Sequence, residues 1–145
     1  MRKIFIAQKE HLHAVAELEK ITFYEPWSEN ALELFLLEPN FCVACYENEE
    51  LASYCTVTTV LDEAQIINVA TDTCFKRMGY AKDVLDRVFW ECKEKNIHLI
   101  SLEVRESNIP AIKLYEALGF VIAGKRKDFY KYPRENAFVM IKNLD

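Results

Sequence analysis

Glycine and proline are scarce in this chain, three and four among 145 residues. No stretch is rich in either, and no linker, repeat or low-complexity tract interrupts the sequence, so residues 1–145 read as one domain. No apolar run approaches the length of a membrane span. The opening MRKIFIAQKE lacks a long apolar core before its charges return, which argues against a signal peptide. Positive charge is not in excess: eighteen Lys and Arg against twenty-three Asp and Glu leave a net −5. That balance excludes the basic surface of a general nucleic-acid binder and is compatible with a cationic substrate. The five cysteines are odd in number and cannot all pair within one chain. Cys42-x-x-Cys45 has no second Cys/His pair at zinc spacing, so buried reduced thiols are expected rather than a metal site, and with them a cytoplasmic setting.

What the chain does carry is an ordered succession of apolar segments. Lys3 to Ala7 reads as a strand, and His11 to Ile21 places Leu12, Val15, Ala16, Leu18 and Ile21 near helical spacing. Pro26 breaks that pattern. Ser28 is a suitable N-cap and Glu29 complements a helix dipole, which predicts a second helix running to Leu37 before Pro39. Phe41 to Tyr46 and Leu51 to Val60 form a hairpin around Glu47 to Glu50, and Ala64 to Thr71 is a further strand. Gly79 to Lys95 is an amphipathic helix with Val84, Leu85, Val88, Phe89 and Cys92 on its core face. His98 to Val104 is nearly all apolar and is expected to be buried on both faces. Asn108 to Leu118 is a helix closed by Gly119. Phe120 to Lys125 and Ala137 to Lys142 are final strands, joined by an aromatic loop from Arg126 to Asn136. The order β-α-α-β-β-β-α-β-α-β-β predicts an α/β fold, a mixed sheet with helices on both faces.

Two stretches could carry chemistry. In LEVRESNIPAIKLYEALGF, Leu102 to Phe120, a strand ends in Glu103, a polar turn leads to Asn108, and the next helix holds Tyr115. In IINVATDTCFKRMGYAK, Ile66 to Lys82, a strand and loop lead through Gly79 into a helix start, where free N–H groups favour an anion. Taken singly, each residue has an ordinary structural role. Glu103 could pair with Arg105 or a lysine, Tyr115 could pack in the core, Asn108 could be an N-cap, and the glycine could merely open a helix.

Together the motifs resemble the GNAT superfamily of acyl-CoA-dependent N-acetyltransferases. Within it they resemble the ribosomal-protein-alanine N-acetyltransferase (RimI type) branch, which carries Leu-Glu-Val-Arg, Ser-Asn, Leu-Tyr and Gly-Phe. Here these are Leu102 to Arg105, Ser107-Asn108, Leu114-Tyr115 and Gly119-Phe120. The family's loop pattern Gln/Arg-x-x-Gly-x-Gly/Ala is matched by Gly79 and Ala81, with Lys76 in place of Gln or Arg. Lysine keeps a positive charge near phosphate but loses planar, bidentate geometry. Thr71 and Thr73 stand where the family has a hydrophobic residue and a proline.

The resemblance implies acetyl-CoA as co-substrate, with no metal. Its pyrophosphate would lie on Arg77, Met78, Gly79, Tyr80, Ala81 and Lys82, and its pantetheine arm along the backbone of Val69, Ala70 and Thr71. The Val69 or Ala70 amide would polarise the thioester carbonyl, and the Asn108 side chain would also hold the cofactor. Glu103 would be the general base. A peptide α-amine has a pKa of roughly 8, so it needs to lose a proton near neutrality. Tyr115 would be the general acid for a coenzyme A thiol whose pKa is about 8.5. Trp27, in Pro26-Trp27-Ser28, with Arg126 and Tyr130 in the late loop, would bind the acceptor; Trp27 could equally be packing. That loop is shorter than the family's, and Phe129 replaces a tyrosine.

The function implied is direct transfer of acetyl to the N-terminal alanine of the eighteenth small-subunit ribosomal protein. The enzyme would be a monomer or weak dimer, with no nucleic-acid or membrane partner. Two alternatives remain: the same chemistry on a polyamine, an antibiotic or a lysine, and a module that binds acyl-CoA without turnover. An acyl-enzyme on Cys74 lacks an adjacent histidine base.

Overall fold

Seven strands build a single sheet, and apolar stripes on the helices cover it. The computed structural model describes residues 1–145. The strands are β1 (Arg2–Ile6), β2 (Phe41–Glu47), β3 (Glu50–Val60), β4 (Glu63–Thr71), β5 (Leu99–Arg105), β6 (Val121–Lys131) and β7 (Arg134–Asn143). The helices are α1 (Leu12–Thr22), α2 (Glu29–Leu32), α3 (Tyr80–Glu94) and α4 (Ile109–Ala117). Sheet order is β1-β2-β3-β4-β5-β7-β6, antiparallel except between β4 and β5. The expected element order and the mixed sheet are therefore present. No helix is long and apolar enough to cross a membrane.

Two cores lie on opposite faces of the sheet. Under α3 and α4, Val84, Leu85, Val88 and Cys92 meet Ile100, Leu102, Val104, Ile112, Tyr115 and Phe120. Under α1 and α2, Leu12, Val15, Leu18, Leu32 and Phe35 meet Cys42, Ala44, Tyr54 and Ala70. Cys42 and Cys45 belong to different cores, as odd spacing along a strand requires, so they point away from each other. Leu85 is fully buried. Its truncation in Leu85→Ala is expected to cost about 2–5 kcal/mol, read as a lower urea midpoint at unchanged m-value.

Local chemistry accounts for the turns. Asn48 and Glu49 both have positive φ (49° and 71°), as a two-residue β2–β3 hairpin turn demands. Gly119, at φ +99°, closes α4. The Phe120 N–H returns to the Tyr115 carbonyl at 3.0 Å, and a Cβ on Gly119 would lie 2.7 Å from Lys142 Nζ.

Three expectations are corrected. The second helix is α-helical only through Leu32 and tightens into a 3-10 turn over Glu33–Leu36. The β5 strand is buried on one face only, because α1 and α2 cover β2 to β4 and leave the Leu99, Ser101 and Glu103 side of β5 half open. The segment from Arg126 to Asn136 is not a loop. β6 and β7 run on as a hairpin to a turn at Tyr132-Pro133, with Lys131 opposite Arg134.

Candidate active site

The β4 and β5 strands pair in parallel over three positions only, Glu63 to Gln65 with Leu99 to Ser101. Past Gln65 and Ser101 they part, each continuing against its outer neighbour. The result is a wedge-shaped slot in the middle of the sheet. The backbone groups that face it follow from the β3 ladder. Asp72 N–H goes to the Ala52 carbonyl at 2.8 Å, and Asn68 N–H to Thr56 Oγ1 at 3.1 Å. By period two, Ala70 also turns its backbone to β3, where its carbonyl accepts from Ser53 Oγ at 2.9 Å. Val69 and Thr71 therefore direct their N–H and C=O groups into the slot, and Ala70 does not. A bulge at Ile67, where Thr56 pairs with Asn68 but Val57 with Ile66, sets this phase.

At the end of β4, Asp72 caps a 3-10 turn (Thr73–Phe75) by accepting from Cys74 N–H. Arg77 and Gly79 then take positive φ (65° and 82°) and lead into α3. The first bond of that helix runs from Asp83 N–H to the Gly79 carbonyl, so the N–H groups of Tyr80, Ala81 and Lys82 have no acceptor in the protein. These donors, the positive end of a 15-residue helix and the nearby Lys76 and Arg77 suit a diphosphate. The side chains of this segment are mostly engaged elsewhere. The Tyr80 ring is buried against Phe75, Lys82 pairs with Asp86, and Arg2 holds the Met78 carbonyl, Asp83 and the Tyr80 face. Contact with an anion therefore falls to the backbone. Left-handed φ costs an L-residue about 1–2 kcal/mol. Gly79→Val should accordingly weaken binding of the expected acetyl-CoA roughly tenfold or more, measured by calorimetry, and lower the melting temperature by a few degrees.

Glu103 and Tyr115 stand on opposite sides of the slot. Glu103 shares the half-open face of β5. Its Oε1 accepts from Gln65 Nε2 at 2.8 Å, and Oε2 lies 3.4 Å from Arg126 Nε. The carboxylate is thus paired with an arginine, though with Arg126 across the hairpin rather than with Arg105. Tyr115 rises from α4 into the other core, its ring 5.7 Å from Phe120. Its hydroxyl has no hydrogen-bond partner. Glu47 Oε2 is the only fully enclosed polar side-chain atom without one, so the Tyr115 hydroxyl is not fully enclosed. Burial first, then the neighbouring Cys55 and Tyr130, hold its pKa above the ordinary phenol range. It stays protonated at neutral pH.

Asn108 is the N-cap of α4, its Oδ1 accepting from Ala111 N–H at 3.3 Å, while its Nδ2 has no partner in the protein. Tyr130 stacks on Arg105, whose Cζ is 4.2 Å from the ring centroid, and burial pushes its hydroxyl up to about 12. The same Arg105 guanidinium donates to the Tyr132 and Pro133 carbonyls at 2.9 Å each and to Glu135 at 3.2 Å. Glu135 in turn accepts from Ser107 N–H at 2.6 Å, and hydrogen bonding to the Ser107 side chain, then to its backbone, together with Arg105, lowers its pKa. The hairpin tip is thereby tied to the end of β5. Trp27 sits on the other helical layer, its ring centroid 5.2 Å from that of Phe35 in an edge-on arrangement.

Reading the sequence alone missed Gln65, Arg105, Arg2 and the buried Glu19. Gln65 was a polar residue within an apolar strand, and Glu19 lay four residues after Val15 on the core stripe of α1. Both were visible as polar residues in apolar stretches, Glu19 fully buried and Gln65 half-buried.

The model of the acetyltransferase (GNAT) family matches residues 12–120. A ribosomal protein bS18-alanine N-acetyltransferase of Haemophilus influenzae is 36% identical over 86% of this chain and 86% of its own length. The Escherichia coli K12 protein of the same name is 32% identical over 97% of this chain and 96% of its own. The crystal structure of the Escherichia coli ribosomal-protein-S18-alanine N-acetyltransferase superposes with a TM-score of 0.93 at 31% identity, covering 100% of this chain and 95% of that one.

Proposed function

Since this chain belongs to the GNAT family of acetyltransferases and uses acetyl-CoA, we propose that it acetylates the N-terminal alanine of ribosomal protein bS18. The names of its relatives support that acceptor. The observation that carries the chemistry is the slot itself, open on one side to Glu103 and on the other to Tyr115, with Val69 and Thr71 turning backbone donors into it.

Bound acetyl-CoA supplies an acetyl group already activated as a thioester. The α3 N-terminus takes its diphosphate, and the Asn108 amide, free of protein partners, is a further donor for the co-substrate. The Val69 N–H points to where negative charge develops on the carbonyl oxygen. On the half-open face, Glu103 takes the proton from the α-ammonium group directly or through water, and Arg126 and Tyr130 border the acceptor there. From the opposite face, Tyr115 delivers a proton to the departing sulfur; the newly acylated nitrogen gives up its second proton to solvent, and the phenol regains one from solvent. Base and acid on opposite sides keep the two proton transfers apart, and the amine attacks the thioester directly.

The test is to incubate the protein with acetyl-CoA and a short Ala-initial peptide copying the bS18 N-terminus, with an N-terminally blocked peptide as control. Intact mass should rise by one acetyl group on the free peptide alone. Acetyl-CoA binding without transfer to either peptide would move the acceptor to another amine.

A further inference from the structure

Glu19 of α1 is fully buried and has no cation within 4.0 Å. Three donors satisfy it. Oε2 accepts from Trp27 N–H at 3.0 Å and Asn68 Nδ2 at 2.8 Å, and Oε1 accepts from the Tyr54 hydroxyl and again from Asn68 Nδ2 at 3.1 Å. The partners come from three separate elements. Tyr54 belongs to β3. Trp27 lies in the connection between α1 and α2. Asn68 follows the Ile67 bulge and immediately precedes Val69, whose backbone faces the slot.

We propose that Glu19 is a positioning residue that holds the Trp27 connection and the Val69 segment of β4 at a fixed separation, so that the acceptor and the thioester carbonyl meet in register. The inference rests on the acetyltransferase reading above. An unpaired buried carboxylate is costly, and its persistence calls for a geometry that several groups over-determine. All three partners present hydrogens to the carboxylate. An apolar side chain of similar length, in Glu19→Met, accepts none of them. The slot edge and the connection would then shift apart, while the α3 N-terminus, which no member of the cluster touches, stays as it is. Glutamine can keep the cluster: its carbonyl accepts from Trp27 N–H, and its NH2 donates to the Tyr54 oxygen and to an Asn68 amide turned to present Oδ1.

The experiment compares wild type, Glu19→Met and the conservative Glu19→Gln, each corrected for its folded fraction. Peptide kcat/KM should fall at least tenfold in Glu19→Met and stay within about threefold of wild type in Glu19→Gln, with acetyl-CoA Kd changing much less than peptide kcat/KM. In a Trp90→Phe background Trp27 is the sole tryptophan. Its emission maximum should shift in Glu19→Met and stay near wild type in Glu19→Gln.

A lower melting temperature with kcat, peptide KM and Trp27 emission all unaltered would overturn the proposal and leave Glu19 a stability element. A Glu19→Gln variant as impaired as Glu19→Met would overturn it as well. If wild type itself does not acetylate the peptide, the acceptor reading fails, and the Trp27 emission still decides the role of Glu19.

Discussion

Replacing Glu103 with glutamine is expected to lower kcat for the Ala-initial peptide by about 10²–10⁴-fold at neutral pH, the range a positioned general base contributes. Acetyl-CoA affinity should hardly move, because the α3 N-terminus lies outside this substitution. The shape is kept: the carbonyl oxygen of the introduced amide can still accept from the Gln65 side chain, and the lost pairing with the largely exposed Arg126 is of little weight for folding. The pH dependence separates a base from a mere binding contact. A peptide α-amine has a pKa of roughly 8, so above it the acceptor arrives already deprotonated. The gap between variant and wild type should narrow as pH rises from about 7 to about 9.5, on either side of that value. A gap of equal size at both ends would leave Glu103 a binding group and send the search for a base elsewhere.

The second large effect is expected from Tyr115→Phe. The ring is retained in the core beside Phe120, so the melting temperature should stay close to wild type. The hydroxyl has no partner within the protein, so its removal orphans nothing. What is lost is a proton donor at the slot, and kcat should drop by about 10²-fold. Burial keeps this phenol protonated beyond the ordinary range. Wild-type activity should therefore show no alkaline decline from Tyr115 below about pH 10, the ordinary phenol value. The leaving thiol gives a further handle. Coenzyme A departs as a thiol of pKa about 8.5, and an acetyl thioester of a more acidic thiol needs less help. The Tyr115→Phe deficit should shrink with such a donor. An undiminished deficit would argue that the hydroxyl orients the thioester rather than protonating it.

How far these sites could be read beforehand depended on whether burial left a period in the chain. Val84, Leu85, Val88 and Cys92 recur at helical spacing because one side of α3 is packed on the sheet, and the helix was legible within a residue or two. The strands β2, β3 and β4 were likewise evident. The β6 strand was half missed for the converse reason. It is the edge of the sheet, nearly all of its residues are exposed, and KRKDFYK therefore shows no alternation for periodicity to detect. The opposite error occurred on β5, where an apolar sequence implied two buried faces although one is half open beside Glu103. Glu103 and Tyr115 could be picked out by their motif, but their surroundings could not. Gln65 is 38 residues from Glu103 in sequence, and Arg126 approaches only because the hairpin folds back. The choice of Val69 over Ala70 as the inward donor needed the phase of the β3 ladder, which one bulged residue sets and no local pattern reveals.

Four of the five thiols are sealed inside the protein, and Cys74 alone is exposed, at the foot of the loop that leads to Gly79. For the four inside, burial also holds the pKa up, so they offer maleimide neither access nor thiolate. The wild-type chain thus carries a natural single attachment point, and a dye placed there would stand a few residues from the expected diphosphate. Co-substrate arrival could be followed in real time by stopped-flow fluorescence without removing a single cysteine.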